Sequence, residues 1–209
     1  MSTKRTTKQH MENLLNKNLG WNVLDLACGR TAGWPQAQVL MDIHNWSDQY
    51  PGKKFIQYNV EQKLPFEDNE FDFVVASHII EHVNDPIKFC KELSRVSKRG
   101  YIEVPTPLID NLVSGDAASQ GPLGHKWWVF FDDADDSIVF RPKRDVLKKM
   151  ITIPELNKLY PFFRQSFVTE IYWEDEVGAL YGDEIYSYED KVYDLKESQP
   201  NPWFLSQGG

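Results

Sequence analysis

Between residues 20 and 107, short apolar runs alternate with polar, turn-forming stretches. Val23–Ala27 (VLDLA) leads into a glycine turn and reads as a buried parallel strand. Gln38–Ile43 (QVLMDI) predicts a second strand ending in an acid, and Lys54–Tyr58 a third. Phe71–Ser77 (FDFVVAS) is nearly all apolar and predicts a central fourth strand. Gly100–Val104 predicts a fifth, after which Pro105 and Pro107 stop the pattern. A helix is expected near Gln9–Asn18, ended by Gly20 and preceded by a disordered start. His78–His82 and Pro86–Val96 also read as helical, the second with Ile87, Cys90, Leu93 and Val96 on one face.

The second half is less regular. Asp110–Gly124 is small and polar and reads as a mobile loop. Trp127–Phe131 and Ser137–Arg141 flank the acidic turn Asp132–Asp136 and predict a hairpin. Asp145–Met150 and Pro154–Leu159 read as short helices, Phe167–Trp173 and Ile185–Tyr188 as late strands, and Pro200–Gly209 as a tail. Strands alternating with helices or loops predict an α/β fold with a doubly wound, mostly parallel sheet. One domain is expected over 1–209, with its core at 20–107 and a cap insertion and C-terminal strands at 108–209.

Composition narrows the function. Of 209 residues, 41% are hydrophobic and 26% charged, enough for a sizeable core in a soluble domain. The net charge is −8, with no dense basic run, which argues against nucleic-acid binding. The two cysteines, Cys28 and Cys90, have no metal-ligand spacing and make no disulfide framework. With no signal-peptide pattern and no apolar run of spanning length, a cytoplasmic location without a membrane span is expected.

Chemistry concentrates where the strands should end. In VLDLACGRTAGWP (23–35), Gly29 allows close backbone approach to a ligand, and Asp25 puts a carboxylate beside the turn. Asp42 ends the next strand, where an acid can accept hydrogen bonds from both hydroxyls of a ribose. Asn59 follows the third strand and could meet a base edge, while Leu64, Pro65 and Phe66 could wall a flat ring or plug the core. His78, Glu81 and His82 follow the central strand, near the crevice beyond the carboxyl ends of the sheet.

Together these segments resemble the class I S-adenosylmethionine-dependent methyltransferases, in particular the small-molecule, type 11-like group. LDLACGRT (24–31), LPFEDNEFDFVVASHIIEHVNDP (64–86) and GYIEVP (100–105) bear the resemblance. It implies a Rossmann-like methyltransferase fold, S-adenosyl-L-methionine as cofactor and a small-molecule acceptor. It also implies that Asp25, Ala27 and Gly29 border the methionine moiety, that Asp42 and Ile43 lie at the ribose, that Asn59 and Val60 contact the adenine, and that Ser77 and His78 lie beside the methionine end. Asn59 stands where the group usually has Asp, Ala27 replaces its first glycine, and Thr31 replaces its last. Asp25 and Asp42 are so close in sequence that a normal crossover helix barely fits, and Pro35 interrupts the middle. A shortened first crossover helix, or only a loop, is therefore predicted.

If the acceptor is a hydroxyl or an amine, His78 and His82 are the candidate catalytic bases. Their spacing on a presumed helix would also suit a metal pair, but no third ligand is evident, and no metal is expected. His125, Tyr101, Trp127, Trp128 and Tyr172 are candidate walls of an acceptor pocket under a C-terminal hairpin and aromatic cap. A sugar or a lipid-linked saccharide is the expected acceptor. The alternative is a catalytically silent protein that binds a nucleoside or a partner.

Overall fold

The computed structural model describes residues 2–112, 124–143 and 158–182. Along the chain run β1 (Ser2–Arg5), α1 (Lys8–Lys17), β2 (Val23–Leu26), β3 (Val39–Asp42), β4 (Lys54–Gln57), β5 (Phe73–Ser77), α2 (Pro86–Val96) and β6 (Arg99–Pro105). There follow α3 (Pro107–Leu112), β7 (Trp127–Asp132), β8 (Ser137–Pro142), α4 (Arg164–Phe167), β9 (Val168–Glu174) and β10 (Ala179–Tyr181). Seven strands form one sheet in the order β1-β9-β6-β5-β2-β3-β4. The five from β6 to β4 are parallel, and β9 and β1 add an antiparallel edge.

Successive strand residues face opposite sides of the sheet. On one side Leu40, Phe73, Val75 and Tyr101 pack with Met11 and Leu15 of α1. On the other, Leu24, Leu26, Val74, Ala76 and Ile102 pack with Phe89, Cys90, Leu93 and Val96 of α2. The sheet is thus covered on both faces, which is the doubly wound α/β architecture the strand pattern predicts. Gly100 lies under this packing: a Cβ there would stand 2.3 Å from the Val74 carbonyl oxygen and 2.9 Å from the Trp173 ring.

From β2 the chain winds outward to β3 and β4, then returns to lay β5 and β6 on β2's other side. The order reverses between β2 and β5. At such a point the crossover connections part and leave a crevice beyond the carboxyl ends of the strands.

Several expectations are corrected. The start of the chain is not disordered: Ser2–Arg5 pairs antiparallel with β9, and Arg5 binds Asp133 at 2.7 Å. A polar edge strand of this kind is held by backbone pairing and leaves no apolar pattern to read. Residues 78–82 form turns rather than a helix, and His78 takes a positive φ of 51°. Pro107 opens α3 instead of ending the regular structure, consistent with the tolerance of proline in a first helical turn. Residues 110–112 therefore belong to α3, and the rest of the expected loop up to residue 123 lies outside the described residues. So do Asp145–Met150, most of Pro154–Leu159, Ile185–Tyr188 and the tail.

Two expectations match the coordinates. No helix forms between β2 and β3. The hairpin forms, with Trp127 opposite Pro142 and Asp132 opposite Ser137. Its residues Val129, Phe131, Ile138 and Phe140 join the apolar core on α2's side. Among the described residues no helix is long and apolar enough to cross a membrane.

Candidate active site

The first wall of the crevice is the turn after β2. Ala27 and Gly29 both take positive φ, 57° and 62°, which turns the chain sharply at the strand tip. The Gly29 N–H donates to Asp42 Oδ2 at 2.9 Å, and the His44 N–H donates to Asp42 Oδ1 at 2.9 Å. The Tyr58 N–H donates to the Asp42 carbonyl at 2.9 Å, which brings the residue before Asn59 against the same acid. Gly29, Asp42 and Asn59 therefore stand at adjacent tips of β2, β3 and β4.

Side chains do what a crossover helix would otherwise do for this turn. Tyr50 donates its hydroxyl to the Gly29 carbonyl at 2.7 Å and accepts from the Gly33 N–H at 3.1 Å. Lys53 Nζ donates to the carbonyls of Pro35 and Ala37 at 2.7 and 2.6 Å. Asp25, almost wholly buried, accepts the Trp34 N–H at 2.7 Å. Burial raises its pKa to about 7, although the Trp34 bond and the positive charge of Lys53 pull it down. Its carboxyl serves the chain's own turn. Tyr50 and Lys53 were not foreseen from the sequence, because a tyrosine and a lysine in a polar stretch carry no local sign of their partners.

The second wall follows β5. His78 Nε2 lies 3.0 Å from Glu103 Oε1, and His78 Nδ1 lies 3.6 Å from Glu81 Oε1. Burial alone would lower the pKa of this half-exposed ring. The carboxylates of Glu103 and, at longer range, Glu81 outweigh burial and raise it to about 9. Conversely, burial pushes the Glu103 carboxyl up, but His78, Tyr101 and Arg164 outweigh it and hold the group at about 2. The Tyr101 hydroxyl shares its one proton between Glu103 and Glu170, whose oxygens lie 2.5 and 2.9 Å away. Arg164 bridges the same two acids and also reaches Tyr160. The strand pattern alone does not assign this network. Its signal was present: Glu103 and Glu170 are charges inside otherwise apolar strands, and such charges are buried only when paired.

The other predicted residues fall as follows. Ile43 is half exposed beside Asp42, and Val60 packs on the core. Asn59 Oδ1 accepts the Glu61 N–H at 3.0 Å, which fixes the loop after β4. Ser77 sits opposite Glu103 in register. His82 stacks edge-on against His125, with ring centroids 4.6 Å apart. Tyr101 is a core residue rather than a pocket wall, Tyr172 lines a cavity with Lys4, Arg5 and His10 beside α1, and Leu64 and Phe66 are buried in the core rather than lining a ring site. A cavity of about 460 Å³ lined by Leu15, Trp21, Val23 and Lys53 opens at the opposite ends of the strands, away from this crevice.

Residues 24–102 match the family model described as Methyltransferase domain. Over these residues, fewer than half of the chain, it is similar to the type 11 group of methyltransferase domains. Curated relatives include the ubiquinone/menaquinone biosynthesis C-methyltransferase UbiE of Citrobacter koseri, 34% identical over 109 residues, 47% of this chain and 43% of that one. UbiE of Escherichia coli O1:K1 is 31% identical over 163 residues, 63% of this chain and 64% of that one. The chain thus spans less than two thirds of the length of these relatives. Among solved structures it is similar to an S-adenosylmethionine dependent methyltransferase from Mesorhizobium loti, at 12% identity and a TM-score of 0.43, over 78% of this chain and 96% of that one. Within the matched residues the LPFEDNEFD segment and the Asp-Pro pair have structural duties. Arg95 of α2 binds the carbonyls of Leu64 and Phe66. Asp85 caps α2 by accepting the Lys88 N–H at 2.9 Å, and Pro86 occupies its first turn.

Proposed function

We propose that this chain transfers the methyl group of S-adenosylmethionine to a small-molecule acceptor. The observation that supports this reading best is the cradle at three strand tips. Asp42 holds the Gly29 turn by one oxygen and the Tyr58–Asn59 loop by its carbonyl, beside the point where the strand order reverses.

The residues suit the cofactor. Positive φ at Ala27 and Gly29 exposes backbone for close approach to the methionine moiety. Each Asp42 oxygen accepts one backbone N–H and keeps further lone-pair capacity for a ribose hydroxyl. Asn59 and Val60 stand at the adjacent tip for the adenine, Ile43 flanks the ribose, and Ser77 and His78 stand across the crevice at the methionine end. Asp25 acts through Trp34 on the turn and does not itself touch the cofactor. When bound, S-adenosylmethionine supplies an electrophilic methyl on a sulfonium. The protein's task in such a displacement is mainly to align the acceptor and exclude water.

The relatives are named as C-methyltransferases of ubiquinone/menaquinone biosynthesis, which supports a ring carbon of a quinone-type compound as acceptor. A sugar or lipid-linked saccharide hydroxyl is the second class. Calorimetry with S-adenosylmethionine gives saturable binding on this reading. Asp42→Ala weakens it roughly 10- to 100-fold, the worth of hydrogen bonds to a charged acceptor, while thermal unfolding reports any loss of fold. Incubation with methyl-labelled cofactor and each acceptor class then identifies the product. Absence of binding overturns the proposal, and binding without turnover on either class favours the silent alternative.

A further inference from the structure

Beside the crevice, the turn after β5 and the start of β7 are stapled together. The Lys126 N–H donates to the Glu81 carbonyl at 2.8 Å, Lys126 Nζ donates to Asn84 Oδ1 at 2.8 Å, and Trp127 Nε1 donates to the Val83 carbonyl at 2.8 Å. These bonds set His125 against Glu81 and His82, although more than forty positions separate them in sequence.

The Glu81 carboxylate is the unusual member. Its residue is fully buried, and neither carboxylate oxygen has a hydrogen-bond partner. A buried carboxylate without such partners is costly, and the usual remedies are a paired charge or a metal ion. Nearest to Oε1 is His78 Nδ1 at 3.6 Å, on a ring already held by Glu103 through Nε2, and His82 Nε2 and His125 Nε2 each lie at 3.9 Å. One ligand atom from each of Glu81, His82 and His125 can be chosen so that all three lie within 4.8 Å of one another.

We propose that Glu81, His82 and His125 form a binding site for a divalent transition metal ion of the zinc class. Two imidazoles and one carboxylate are a donor set such ions favour, and calcium and magnesium do not. Metal–nitrogen and metal–oxygen bonds of roughly 2.0–2.2 Å place tetrahedral ligands about 3.3 Å apart. The present separations need only a small contraction of two rings and one carboxylate. Three protein ligands leave a coordination position for water or an acceptor oxygen, the pattern of catalytic rather than structural sites. This inference does not require methyl transfer, because metal binding is measured without cofactor or acceptor. It also revises the sequence expectation of no metal. The missing third ligand comes from His125, across the fold, and not from a His78–His82 helical pair.

The test uses the untagged full chain, stripped with chelator and titrated with Co²⁺. Saturation at one equivalent, with the intense visible absorption of a low-coordinate site, is expected. Zn²⁺ displaces the signal, and Mg²⁺ and Ca²⁺ do not. Glu81→Gln and His125→Ala each lower affinity by roughly 100-fold or more, above the range for loss of an outer-shell partner, while His10→Ala leaves it unchanged. In the wild type, Zn²⁺ shifts the imidazole NMR signals of His82 and His125 and leaves those of His10 and His44 in place. That measurement stands even if a variant misfolds. A wild type with no saturable Co²⁺ spectrum, Zn²⁺ shifts confined to other histidines, or folded variants that retain wild-type affinity would each overturn the proposal.

Discussion

The two connections that flank the crevice are built in opposite ways. Between β5 and β6 the chain forms α2, capped by Asp85, opened by Pro86, and anchored to the sheet through Phe89, Cys90, Leu93 and Val96. Between β2 and β3 it forms no helix, and side chains from elsewhere hold the loop: Asp25 from its own strand, Asp42 from the next, and Tyr50 and Lys53 from beyond it. A helix satisfies its backbone internally and needs only a cap and an apolar face. A loop in the same place must have its carbonyls and N–H groups met one by one. The first connection has thus exchanged a repeating solution for a set of specific long-range bonds.

In the helical connection, one side chain can be removed to test the tie. Arg95 ties α2 to the 64–68 segment through Glu92, Asp68 and the carbonyls of Leu64 and Phe66. Arg95→Leu leaves Glu92 and two backbone carbonyls without this partner and should cost about 3 kcal/mol in chemical denaturation. A loss below about 1 kcal/mol would mean that apolar packing alone holds the segment.

In the loop connection, the sharper probe is pH. The Asp25 pKa rises from an ordinary 3.8 in the unfolded chain to about 7 in the fold. Between those values the folded state binds the extra proton, so stability falls as pH rises from about 4 to about 7. The limiting slope is about 1.4 kcal/mol per pH unit. Asp25→Asn keeps an oxygen for the Trp34 N–H and removes the titration. Its stability curve should meet the wild type's in acid and lie progressively above it toward neutrality. Parallel curves across that range would place the Asp25 carboxyl in a wetter setting.

The smallest expected effect is at Ala27. A side chain at φ 57° costs about 1 kcal/mol relative to glycine. Ala27→Gly should therefore raise the melting temperature by roughly 2–4 °C for a chain of this size. A fall instead would show that the alanine methyl makes contacts worth more than the strain.

Much of this architecture was legible because it is local. Val23–Leu26, Val39–Asp42, Phe73–Ser77 and Pro86–Val96 announce themselves by apolar period and by cap residues. The short interval from Asp25 to Asp42, with Pro35 inside it, foretold the missing helix. The polar β1 could not be read this way, since its stability comes from backbone pairing with β9 at the far end of the chain. The turn at His78–His82 was also misread, because its apolar residues suit a helix while His78 adopts a left-handed φ beside Glu103.

The sequence by itself determined the sheet's central strands, the helix over the buried face and the residues at the strand tips, because propensity, period and capping act over a few neighbouring positions. Only the tertiary structure decided what those tips face. Tyr50 and Lys53 over the Gly29 loop, the Glu103–Glu170–Arg164 network and the meeting of Glu81, His82 and His125 all join distant segments. Hydrogen bonds and ion pairs between such segments depend on distances that folding creates, and no local pattern along the chain encodes them.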